Sequence, residues 1–173
     1  RALRVEISNM ASAQPLEVGG ARVALHKSAG AIVPGTDRVL KFSGNESFVV
    51  PPGALFVSDP VNLKLAPFSD LAISLYLPKN TGSPTSHTMG LHTAYISKGN
   101  VTGSENMPDP TETYSYLWLT GVDVLAPADS YAIVALGDSI TDGSPQLSMA
   151  MQHGRHCWRS GWPPIRRPDM QQC

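Results

Sequence analysis

Ser139 is the residue whose surroundings best suit covalent chemistry. It lies in Ala135-Leu136-Gly137-Asp138-Ser139-Ile140-Thr141-Asp142, at the end of the apolar run 131–136. That order predicts a buried strand delivering a serine onto a tight turn. A hydroxyl held there, with backbone N–H groups around it, is what acyl transfer requires. Gly-Asp-Ser alone is a common turn, because Asp and Ser hydrogen-bond their own backbone. The strand before it and Asp142-Gly143 after it favour a nucleophile. A serine also needs a base within hydrogen-bond reach. His153 and His156 follow it in the chain.

Other chemistry-bearing residues are sparser. His87 and His92 flank Met89-Gly90 and lack a clear third partner for a metal, so hydrogen-bonded or solvent-facing histidines are expected. Both cysteines, Cys157 and Cys173, sit near the end, which excludes a disulfide framework in the main body and argues against a thiolate zinc site. No metal or cofactor is expected. Tyr114, Tyr116 and Trp118 alternate on one face of a strand. They could be a sugar-stacking platform or an aromatic stripe packed on the sheet.

The elements that must position these residues read as sheet. Period-2 alternation, with turns every few residues, marks 3–8, 21–25, 39–42, 47–50, 54–58, 70–77, 90–96 and 115–125 as strands. Pro34-Gly35 and Pro51-Pro52-Gly53 are turn formers, since Pro presets φ and Gly supplies positive φ. An antiparallel β-sandwich over 1–127 is expected, with no helix of 3.6 periodicity. The 173 residues, 18.5 kDa and 42% apolar content suffice for one domain with a real core. A net charge of −1 implies no attraction to nucleic acid, and no apolar run is long enough for a membrane span. The sequons Asn45-Glu46-Ser47 and Asn100-Val101-Thr102 fit a secreted protein. Arg1 stands in mid-strand without a signal peptide, as expected of a processed or incomplete product.

On the residues Gly137-Asp138-Ser139-Ile140-Thr141, the chain resembles the SGNH/GDSL hydrolases, ester hydrolases whose first motif block carries the serine nucleophile. The resemblance implies that Ser139 is that nucleophile and that its N–H is one oxyanion donor, with Gly137, Asp138, Thr141 and Asp142 as motif neighbours. It implies a small-molecule or carbohydrate-linked ester as substrate and no cofactor. Ile7-Ser8-Asn9, Gly20 to Ala24, Pro51-Pro52-Gly53, Ser58-Asp59-Pro60 and Gly121 to Val124 look like the jelly-roll-like sandwich that precedes the catalytic domain in one SGNH subgroup. Residues 128–143 would then open a flavodoxin-like α/β domain, and the sandwich's first strand would precede Arg1. The family's Asp-x-x-His block, which supplies the base, is absent from these 173 residues; Ala150 and His153 stand three positions before His153 and His156, so the resemblance implies that neither histidine is the base.

Composition changes after Gly143. Residues 144–173 hold both cysteines, Trp158, Trp162, four arginines and no lysine, without strand or helix periodicity. Joining the third base of each codon to the first two of the next, from Gln146 onward, permits the translation TVDGNATWPALLAxRLAxN. That string resembles the amphipathic helix that follows GDSITDG in the family. A shifted reading frame over 144–173 is therefore expected, making that tail non-native. Sequencing the coding DNA tests this: one base should be missing near codons 143–145, and an intact frame there refutes it.

Overall fold

The computed structural model describes residues 1–88, 90, 92–128, 130 and 136–138. The chain divides into two compact units, Arg1–Ala132 and Ile133–Cys173, and nearly all described residues belong to the first. Among the described residues there is no helix, and hence none long and apolar enough to cross a membrane. The fold is mainly antiparallel β, in an arrangement consistent with a β-sandwich. The α/β part expected from 128 onward lies almost wholly outside the described residues.

The chain opens on β1 (Ala2–Ser8), then runs through β2 (Leu16–Val18), the long β3 (Gly20–Ser28), β4 (Ala31–Ile32) and β5 (Arg38–Val39). Next come β6 (Phe48–Val50), β7 (Leu55–Val57), β8 (Val61–Asn62) and β9 (Leu71–Tyr76). The last five are β10 (Ser86–His87), β11 (Ala94–Ile96), β12 (Thr111–Thr113), β13 (Tyr116–Leu117) and β14 (Leu119–Val124). Two expected turns form as their chemistry dictates: Gly35 and Gly53 take φ of 76° and 73°, which only glycine adopts at little cost.

Two sheets dominate. In one, β1 pairs with β14 on one side and with β7 and β8 on the other. In the second, β3 pairs with β9 along its length and with β4 and β5 opposite. Alternation decides what faces inward. Leu3, Val5 and Ile7 of β1 are buried, as are Ala21 and Val23 of β3, and they meet in one cluster with Leu16, Val18, Leu40 and Val50. Both sheets thus bury one face against a shared apolar layer.

Two residues from the sandwich-like stretches, Ser58 and Asn9, are polar struts within that core, and the half-buried Asp59 braces a surface hairpin beside them. The Ser58 hydroxyl accepts from the N–H of Val5 at 2.9 Å and donates to the Asp59 carbonyl at 3.0 Å. The Asp59 carboxylate accepts from the N–H groups of Ser43 and Gly44, closing their hairpin. Asn9, only 1% exposed, donates from Nδ2 to the carbonyls of Gln14 (2.8 Å) and Val50 (3.0 Å). Its own N–H and C=O bond Ala54 and Gly53. One residue, through side chain and backbone together, therefore ties the end of β1 to the segment before β2, to β6 and to the turn before β7.

The expected strands at 3–8, 21–25, 47–50, 54–58 and 70–77 form nearly as read. Strand 39–42 stops at Val39, although Leu40 and Phe42 are buried in the core. Of 90–96 only Ala94–Ile96 is strand. The expected single strand 115–125 is broken at Trp118, which takes φ of 59°. The break has a cause: β13 pairs with β10, whereas β14 pairs with β1. Trp118 is the corner, its N–H donating to Thr85 and its C=O accepting from Ser8. The short strands β2, β4, β8, β10 and β12 carry too little alternation to be read from sequence.

Asn9→Asp should expose the strut's importance. A carboxylate facing two carbonyls loses both donors, and the site favours its protonated form, raising its folded pKa above the unfolded value. Stability held by the protonated form is present below the unfolded pKa and lost as pH rises through the folded one. In urea melts, the deficit against the parent should widen from about pH 4 to pH 7, reaching about 2 kcal/mol or more. A deficit independent of pH would refute the arrangement.

Candidate functional site

The Gly-Asp-Ser turn is described only at its start. Leu136 is 98% exposed, and Gly137 and Asp138 are exposed with it. Ser139, Thr141 and Asp142 lie outside the described residues, as do His153, His156 and the expected strand before Leu136. His87, on β10, is exposed and lies 6.4 Å from the Tyr116 ring at an interplanar angle of 27°. The N–H of His92, also exposed, donates to the Gly90 carbonyl. Among the described residues no three His, Cys, Asp or Glu side chains group as a metal site.

What the described residues do build is a cavity of about 380 Å³. One wall is β9, half-buried along its whole length. Opposite walls come from the β11–β12 pair, the loop 97–107 and the segment 113–119. Ile73, Leu75, Leu77, Leu117 and Leu119 line it and also pack against the core cluster. Tyr76, Tyr95, Tyr116 and Trp118 supply aromatic surface. Among the described residues the remaining polar side chains of the lining are hydroxyls, and no charged one lines the cavity.

Two glycines set two of these rings. A Cβ on Gly19 would stand 2.7 Å from the Tyr76 ring, and one on Gly90 would stand 2.5 Å from that of Tyr116. Neither glycine has positive φ, so close approach of an aromatic face requires the missing side chain. Trp118 is 9% exposed, and its positive φ is unusual for a bulky residue. Tertiary bonds on both sides of its backbone hold that conformation.

Of the aromatic triplet read from sequence, Tyr116 and Trp118 line the cavity, whereas Tyr114 is 63% exposed and does not. Sequence reasoning missed the cavity itself, because its walls come from separate segments. The ion pair Arg22–Asp37 stands apart from its lining; the Arg22 guanidinium is held above its ordinary pKa by its hydrogen bond to Asp37.

No protein-family model matches the chain, and no curated protein matches it.

Gly90→Ala should push the Tyr116 ring aside and lower stability by about 1–3 kcal/mol in chemical denaturation. Gly20→Ala is the control, since a Cβ there meets nothing within 4 Å. Equal effects at both positions would contradict the packing described.

Proposed function

We propose that this chain derives from an SGNH/GDSL-type serine ester hydrolase with a sandwich domain ahead of the catalytic one. The observation that carries the reading is Gly137-Asp138-Ser139-Ile140-Thr141-Asp142 placed directly after an apolar run. A mainly antiparallel β fold before that motif supports it. In such an enzyme the serine Oγ attacks the ester carbonyl carbon while a histidine takes its proton. Backbone and side-chain N–H groups hold the oxyanion, the alkoxide leaves with the proton, and water then cleaves the acyl-enzyme. Ser139 is the proposed nucleophile and one oxyanion donor, and an ester of a small molecule or carbohydrate the proposed substrate. Secretion accords with two sequons whose asparagines, Asn45 and Asn100, are exposed.

The same sequence argues that this 173-residue chain does not turn over. It contains no Asp-x-x-His, and its residues 144–173 read as a shifted frame. A second reading is a carbohydrate- or protein-binding sandwich module with a vestigial serine turn, and the cavity beside Trp118 supports a binding role for the sandwich.

Hydrolysis of a short-chain nitrophenyl ester tests the first reading. The 173-residue chain should show background rates, unchanged in Ser139→Ala, because a missing base and missing oxyanion donors each cost about 10²–10⁴ in rate. Restoring the frame and the coding sequence beyond it should yield activity that Ser139→Ala abolishes. Ser139-dependent turnover by the unaltered chain would overturn the argument from the tail, and an inactive restored enzyme would overturn the family reading.

A further inference from the structure

The cavity's volume lies in the range of small-molecule sites, and its lining is selective. Without a charged wall residue, an ionic ligand would lose its hydration with no countercharge in return. Four of the five serine and threonine side chains are engaged already, and Tyr76, Tyr95 and Tyr116 add phenol hydroxyls to the lining. Ser97 donates to the Pro108 carbonyl, Ser115 to that of Thr88, and Thr102 to the Asn100 side chain. Thr113 Oγ1 accepts from the Ser115 N–H. Trp118 lines the cavity, and among the described residues its indole N–H, which is not fully buried, donates to nothing. A pyranose would bury several hydroxyls at once, each costing about 1–3 kcal/mol where it stays unpaired, whereas a flat apolar ring with one acceptor buries a single polar group against these aromatic walls.

We infer that the cavity between β9, the β11–β12 pair and Trp118 binds a neutral, ring-bearing, mainly apolar small molecule whose single acceptor takes the Trp118 indole N–H. The inference goes beyond ester hydrolysis and does not depend on Ser139.

The test uses the full chain carrying Trp158→Phe and Trp162→Phe, which leaves Trp118 as its sole tryptophan. The probe is propionyl-dimethylaminonaphthalene (Prodan), a neutral aromatic ketone that is not an ester. Saturable one-to-one binding is expected, with a blue-shifted dye emission and energy transfer from Trp118. Ala94→Phe, which fills the cavity, should weaken binding at least about tenfold, whereas Trp118→Phe, which keeps a ring but removes the donor, should weaken it about fivefold to tenfold. Should Ala94→Phe fail to melt cooperatively, the Trp118 energy transfer still locates the dye. Absence of saturable binding, binding without transfer, indifference to both substitutions, or displacement of the dye by millimolar cellobiose would each overturn the proposal. No arm reads hydrolysis, so its failure and that of the esterase reading are separate results.

Discussion

The pairing of β1 with β14 is the constraint on which the rest of this fold depends. It joins Leu3 to Val124 and Val5 to Val122, and the ion pair Arg4–Asp123 spans 119 positions of sequence. Closing so long a loop costs entropy that grows only slowly with its length, so burial of the β1 face can offset it. That face carries Leu3, Val5 and Ile7, each no more than 1% exposed. The same strand bonds β7 and β8 on its other edge and, through Asn9, the start of β2 and the end of β6. The exposed Arg4–Asp123 bridge itself contributes little; the apolar face and the ladder do most of the stabilising.

Trp118 follows from that pairing. Residues 116–117 are committed to β10, while 119–124 must reach β1. One residue between them has to change direction, and its N–H and C=O are each bonded to a different neighbour. A bulky side chain with φ of 59° is costly, by about 1–3 kcal/mol, and persists because the pairings on both sides over-determine it. The outcome is a large indole at the boundary between core and cavity, where a regular strand would have placed Trp118 on the same face as Tyr114 and Tyr116.

Fold and proposed chemistry thus rest on different parts of the chain. Sandwich strands, struts and cavity belong to Arg1–Ala132. The serine turn follows them, and the argument for its ancestry is one of residue order and coding frame. A ligand site in the sandwich and an ester-cleaving serine beyond it are compatible, because neither draws on the other's residues.

By itself the sequence determined the class of fold, the main strands and their turns. These are local properties: period-2 burial in 3–7 and 21–23, and the φ demands of Gly35 and Gly53, act over a few residues. It also determined the candidate nucleophile and the oddity of residues 144–173, both matters of order along the chain. Tertiary structure alone decided where 115–125 breaks, since the break arises from two pairing partners far away in sequence. It alone decided that Leu40 and Phe42 join the core outside a strand, and that Asn9 spends its amide on two carbonyls, one of them as distant as Val50. The cavity belongs with these. Its walls are ordinary strand and loop residues wherever they occur in sequence, and only the packing of β9 against the segments 94–107 and 113–119 leaves a space between them that no charged side chain among the described residues lines.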